Sequence, residues 1–222
     1  MKLCIDTADT GLIRKIYETY PVDGVSTNPS ILAKEKRDPY EVLREIRDII
    51  KDDELFVQVI SDNAETMREE AHHIISELGE KTLIKIPCIP EGYRAMKLLK
   101  EDKIRFIGTA VYTSMQGFLA AKAGAEYIAP YVNRIDNLGY DGVETAREIH
   151  DMIVSNHLDS GLLAASFKNT RQVKELIRYG VKAVTLSPDL FETMVKNASV
   201  EDAVEVFRKD FKTLNRPGNT MK

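Results

Sequence analysis

The sequence predicts a single (β/α)8 barrel of the TIM type with one additional helix at its C-terminal end. Three observations carry that prediction. Short runs rich in Val, Ile and small residues alternate along the chain with longer stretches of helical period, the pattern of βα units and a parallel sheet. Eight such units follow one another without a linker, low-complexity tract or shift in composition, as a closed barrel requires. The turn after the first strand, Asp6-Thr7-Ala8-Asp9-Thr10-Gly11, lacks the glycine pattern by which the main rival, an open doubly wound sheet, usually cradles a phosphate.

Taken in order, strands are expected near residues 2–7, 24–28, 55–60, 82–87, 105–112, 127–132, 161–167 and 183–187. Helices are expected after each, near 10–20, 40–51, 63–79, 91–100, 114–123, 142–157, 170–179 and 189–197. In the first helix Leu12, Ile13, Ile16 and Tyr20 share a face, and in the third Met67, Ala71, Ile74, Ile75 and Leu78 do. Gly79, Gly124 and Gly180 end helices shortly before a strand, where a left-handed residue relieves the last carbonyls. Asp62, Ser114 and Asn169 stand at expected N-caps. A ninth amphipathic segment, about 200–214, places Ala203, Val204, Phe207, Phe211 and Leu214 on one side. It is free to cover a barrel end or a neighbouring subunit. The whole chain, 1–222, thus reads as one domain with the barrel in about 1–197.

Composition excludes several function classes. With 31 Lys+Arg against 35 Asp+Glu the net charge is −4, which argues against nucleic-acid binding, since neutralising phosphates takes a basic surface. A charge at the sixth residue comes too soon for a signal peptide, and the apolar runs fall far short of a membrane span. Cys4 and Cys88 make no disulfide framework and suit a reducing compartment. A soluble cytoplasmic protein is expected, with neither nucleic acid nor membrane as partner.

Strands of a parallel barrel are buried on both faces, so polar groups within them are costly, and barrel chemistry sits at the strands' C-terminal ends. Seven of the eight ends carry such a group: Asp6, Asn28, Gln58, Lys85, Thr109, Tyr131 with Arg134 just beyond, and Ser166 with Lys168. Lys85, in Thr82-Leu83-Ile84-Lys85-Ile86-Pro87, has apolar neighbours that would desolvate its ammonium, lower its pKa and free it to attack a carbonyl. The alternative is a structural lysine neutralised by a carboxylate such as Asp6. Asp6 either holds a substrate hydroxyl and assists proton transfer or caps the following helix. Tyr131 either fills the core or, beside Arg134, acts in proton transfer. Arg134, Ser166 and Lys168 suit phosphate oxygens, unless Arg134 pairs with nearby Asp136 at the surface. His72, His73, His150 and His157 read as surface residues, and the cysteines as packing groups, although Cys88 lies close behind the Lys85 strand. No Walker loop, dinucleotide fingerprint or metal-ligand cluster is present, so the expected site works with side chains alone, without cofactor or metal.

These residues stand in segments that resemble the transaldolase family, specifically its small fructose-6-phosphate aldolase branch. The segments are Ile5-Asp6-Thr7, Gly24-Val25-Ser26-Thr27-Asn28-Pro29-Ser30, Ile84-Lys85-Ile86-Pro87, Gly108-Thr109-Ala110-Val111-Tyr112, Ala129-Pro130-Tyr131-Val132-Asn133-Arg134-Ile135-Asp136 and Ala164-Ala165-Ser166-Phe167-Lys168. The resemblance implies that Lys85 forms a Schiff base with a ketose phosphate and that Tyr131 takes the C4 hydroxyl proton through a water held by Gln58 and Thr109. It further implies that Asp6 and Asn28 hold substrate hydroxyls and help proton transfer, and that Arg134 and Ser166 bind the phosphate. Transaldolases usually carry a glutamate where this chain has Gln58 and a phenylalanine where it has Tyr131, so both positions resemble the aldolase branch. The branch also implies a ring-like homo-oligomer, often a decamer, in which the last helix crosses to a neighbour. The expected activity is cleavage and formation of fructose 6-phosphate. The alternatives are transaldolase, moving a dihydroxyacetone unit to erythrose 4-phosphate in the pentose phosphate pathway, and a non-catalytic sugar-phosphate-binding barrel.

Overall fold

A computed structural model describes residues 1–214 and 220–221. Its strands are β1 (Lys2–Asp6), β2 (Gly24–Ser26), β3 (Glu54–Gln58), β4 (Thr82–Pro87), β5 (Phe106–Val111), β6 (Tyr127–Pro130), β7 (Gly161–Ala164) and β8 (Ala183–Leu186). They pair in parallel in chain order and β8 returns to β1, closing the barrel. The expected (β/α)8 architecture is therefore the one observed. The helices are α1 (Thr10–Thr19), α2 (Pro29–Leu32), α3 (Pro39–Ile50), α4 (Ala64–Leu78), α5 (Pro90–Glu101), α6 (Ser114–Ala123), α7 (Val132–Asp136), α8 (Gly142–Ser155), α9 (Thr170–Tyr179), α10 (Pro188–Val195) and α11 (Ala198–Lys212). A 3-10 turn, Ala33–Glu35, follows α2.

The helices form where an apolar stripe can reach the sheet. Met67, Ala71, Ile74 and Leu78 of α4 are buried, as are Val42, Leu43, Ile46 and Ile50 of α3. Gly79, Gly124 and Gly180 sit at helix C-termini with φ of 83°, 100° and 96°, so a Cβ there would strain the backbone. Two expected caps move by one residue. The N-cap of α4 is Asn63, not Asp62, its side chain accepting from the Thr66 N–H. That of α6 is Thr113, not Ser114, in a capping box with Gln116. Asn169 caps α9 as expected.

Period-two alternation sorts the strand residues into an outer set beneath the helices and an inner set filling the barrel. Cys4, Phe56, Leu83, Ile107, Tyr127, Ala129, Leu163 and Ala183 form an apolar cluster of their own, the middle of that interior. At the N-terminal end Glu54, buried, takes Lys2 at 2.6 Å and Arg105 at 3.0 Å. At the C-terminal end the inner positions two residues further along the strands fall to Asp6, Gln58, Lys85, Thr109 and Tyr131. The parity that builds the core thus aims the candidate residues into one mouth.

Several strands end earlier than the sequence suggests. β2 stops at Ser26 because Pro29, with its fixed φ, opens α2 and Asn28 caps it, accepting from the Ile31 N–H at 3.0 Å. β6 stops at Pro130; Tyr131 makes an isolated bridge to Ala165 before the chain turns into α7. β7 stops at Ala164, leaving Ser166 in the following loop with φ of 59°. The ninth segment forms α11, but none of its residues is buried and Phe207 is 68% exposed, so α11 does not cover a barrel end. The one-domain reading of 1–222 extends over residues 215–219 and 222, which lie outside the described residues.

Candidate active site

Lys85 lies in the middle of β4, only 5% exposed. Its Nζ donates to Ser26 Oγ at 3.0 Å and to the Thr27 carbonyl at 2.7 Å. No carboxylate lies within ion-pair distance among the described residues. Burial pulls the amine below the usual lysine range, and Asp6 only partly opposes it. The structural alternative, a lysine neutralised by contact with Asp6, is not what the geometry provides.

Asp6, at the end of β1, does not cap α1; that part is played by Asp9, whose Oδ1 accepts from the Leu12 N–H at 2.9 Å. Burial pushes the Asp6 carboxyl above its usual range, while Lys85, a hydrogen bond from Ser26 and Arg134 pull it down. An amine inclined to lose its proton and a carboxyl inclined to keep one therefore face each other across the same mouth, a pairing suited to carbonyl addition and dehydration.

Across from Lys85, the Tyr131 hydroxyl and Thr109 Oγ1 are hydrogen-bonded at 3.1 Å. Thr109 sits where β5 loses register with β6, between Gly108 and Val111, and the next residue, Ala110, adopts φ of 54°. Such bulges re-aim side chains beside active sites. Burial raises the Tyr131 phenol, opposed by the Thr109 hydrogen bond and by Arg134. The Arg134 guanidinium lies 4.7 Å from the Tyr131 ring centroid, and Tyr112 meets that ring edge-on at 5.8 Å. Gln58 pairs in register with Lys85 and is half-buried, and its side chain has no hydrogen-bond partner among the described residues.

Asn28 uses Oδ1 as the α2 cap, which leaves its Nδ2 donor available. Arg134 is exposed on α7, and the surface ion pair with Asp136 is absent: Asp136 instead accepts from the Gly142 N–H at 2.7 Å and from Gln172 Nε2. Ser166 is half-buried near the α7 start, its carbonyl accepting from the Asn133 N–H, whereas Lys168 is exposed. The structure thus brings Asp6, Gln58, Lys85, Thr109 and Tyr131 together inside the mouth and leaves Asn28, Arg134 and Ser166 in the loops around it.

Sequence reasoning missed Ser26, fully buried and one of the two partners of Lys85 Nζ. Its signal was present: it is the inward, polar position of a strand in register with Asp6. The eighth strand, read as contributing nothing, places Thr185 in the barrel wall with a buried hydroxyl that has no partner among the described residues. His72, His73 and His157 are at the surface, while His150 is half-buried against Tyr179. Both thiols are buried and burial pushes both up, Cys88 to about 12, so neither is poised as a nucleophile. Among the described residues no cluster of three or more His, Cys, Asp or Glu is arranged to hold a metal, and no helix is long and apolar enough to cross a membrane.

The sequence matches the family described as Transaldolase/Fructose-6-phosphate aldolase over residues 3–221. That match runs through every strand of the barrel and every residue of the mouth. The chain belongs to this family of transaldolase-like aldolases.

Proposed function

We propose that the protein is a Schiff-base aldolase that cleaves fructose 6-phosphate to dihydroxyacetone and glyceraldehyde 3-phosphate and catalyses the reverse condensation. The observation that carries this reading is the Lys85 amine, buried, fixed by two hydrogen bonds and free of a carboxylate partner. In this mechanism Nζ attacks the C2 carbonyl, and loss of water gives the iminium. Tyr131, through a water held by Gln58 and Thr109, takes the C4 hydroxyl proton. The C3–C4 bond then breaks, glyceraldehyde 3-phosphate leaves, and the electron pair is stored as an enamine on Lys85. Protonation at C3 and hydrolysis release dihydroxyacetone. Asp6 and Asn28 hold substrate hydroxyls, and Arg134 and Ser166 receive the phosphate at the rim.

Gln58 and Tyr131 favour the aldolase over transaldolase, because a neutral amide and a phenol orient and protonate a water differently from a carboxylate and a phenyl ring. We take the protein to act in the cytoplasm and to assemble into a ring-like homo-oligomer, the unburied apolar residues of α11 being the contact. The test is product analysis with fructose 6-phosphate, with and without erythrose 4-phosphate. Free dihydroxyacetone in both samples supports the aldolase; turnover wholly dependent on erythrose 4-phosphate replaces it with transaldolase.

A further inference from the structure

We infer that Ser26 is a catalytic residue, the hydroxyl through which the proton of the Lys85 amine passes to Asp6 during Schiff-base formation. This rests on the Schiff-base reading of Lys85 and adds to it a step that the substrate-facing groups do not supply.

The placement comes from the sheet. Ser26 pairs in register with Asp6 on the neighbouring strand, and its Oγ reaches across β3 to Lys85 Nζ at 3.0 Å. A carbonyl oxygen only accepts, so the Thr27 carbonyl, 2.7 Å from Nζ, consumes one N–H and cannot take part in proton transfer. A hydroxyl accepts and donates at once, and Ser26 is the hydroxyl in contact with Nζ. On its other side it stands directly opposite Asp6 in the strand register, where its hydroxyl favours the ionised carboxyl. Lys85 and Asp6 make no ion pair, so transfer between them needs an intermediary, and Ser26 contacts Nζ and is the register partner of Asp6. At 0% exposure it is shielded from competing bulk water.

The chemistry balances over two passages. Nζ attacks C2, forming the C–N bond, while protonated Asp6 gives its proton to the developing alkoxide. The nitrogen, now cationic, passes a proton to Ser26 Oγ, which hands its own to the Asp6 carboxylate. A neutral carbinolamine and protonated Asp6 result. Asp6 then protonates the C2 hydroxyl, the C–O bond breaks, water departs, and the nitrogen lone pair forms the iminium. Ser26 ends as it began, and Asp6 has supplied the one proton that iminium formation from a neutral amine consumes.

The test is the single-turnover rate of borohydride-trappable adduct at Lys85 with fructose 6-phosphate across pH, for the full-length wild type, Ser26→Ala and Ser26→Thr. Ser26→Ala is expected to trap the same lysine about 10²-fold more slowly, the scale of a lost proton-transfer group. Its kcat should fall with KM nearly unchanged, and the pH dependence of trapping should shift upward, because Asp6 loses a hydrogen bond that favours its ionised form. Ser26→Thr, which keeps the hydroxyl, should recover to within threefold. Circular dichroism on each variant identifies loss of folding, and Ser26→Thr keeps the test decisive if Ser26→Ala is unstable: a folded threonine variant as slow as about 10²-fold below wild type overturns the relay. A Ser26→Ala rate within threefold of wild type, with an unmoved pH profile, also overturns it while leaving the Schiff base standing. A wild type that traps no adduct at Lys85 overturns both.

Discussion

Lys85 is held where water cannot solvate its charge, and this sets how the protein responds to pH. Below the amine's depressed pKa Nζ is protonated and cannot attack, and once Asp6 has lost its proton it cannot act as acid, so kcat should rise and then fall with pH, the rise lying below the ordinary lysine range. For the amine, stability rises with pH as well: between the depressed folded pKa and the ordinary lysine value of 10.5 the unfolded chain binds more protons, so this group makes stability rise with pH across that window. Asp6 acts oppositely, its raised folded pKa causing a loss of stability as pH climbs above the ordinary aspartate value of 3.8 through the folded one. Asp6→Asn should remove that loss in a pH series of thermal melts; an unchanged series would show that Asp6 is solvated. At the neighbouring register position, Gln58→Glu should raise the ratio of transfer to hydrolysis, measured with erythrose 4-phosphate present, and an unchanged ratio would remove Gln58 from the choice of reaction. Lys85, Thr109 and Tyr131 were legible in the sequence because a polar residue stands out in a strand buried on both faces. Ser26 was not: it fell within an expected strand but short of that strand's end, where the polar groups were sought, and its contact lies two strands away, on β4.

At the level of elements, helix starts and close approaches carry the testable content. Asn63 caps α4 and Asp62 does not, so Asn63→Ala should cost about 1 kcal/mol in denaturant unfolding while Asp62→Ala stays within about 0.5 kcal/mol. The reverse order would mean that the helix starts one residue earlier. Gly24 is fixed by crowding: a Cβ would lie 2.5 Å from the Glu54 carbonyl, a backbone atom held by strand pairing. Gly24→Ala should therefore destabilise by about 1–3 kcal/mol, with equal unfolding midpoints as the contradicting result. The barrel helices were legible from the sequence because seven of the eight span ten residues or more, long enough for helical period to show, and the eighth, α10, spans eight. The short helices α2 and α7 were not, since four or five residues carry no period; proline placement and an asparagine cap decide the first. Those two helices carry or follow Asn28, Tyr131 and Arg134, which is why the rim was read as strand.

For the whole molecule, eight parallel strands enclose an apolar middle layer, with Glu54 and its cations at one end and the reactive layer at the other. Closure was readable from the count of βα units; the destination of α11 was not, because its amphipathic pattern finds no surface within its own barrel. With Phe207 68% and Val200 59% exposed, α11 should be covered in an assembly. Phe207→Glu is expected to reduce the mass measured by light scattering, whereas a wild type that already runs as a monomer contradicts that expectation. The central claim concerns one nitrogen in this frame. Borohydride reduction in the presence of fructose 6-phosphate, followed by peptide mapping, should place a stable mass increase on Lys85 in the wild type and none in Lys85→Met, with at least about 10³-fold loss of cleavage in that variant. Full cleavage activity in Lys85→Met, or an adduct on any other lysine, would contradict the account.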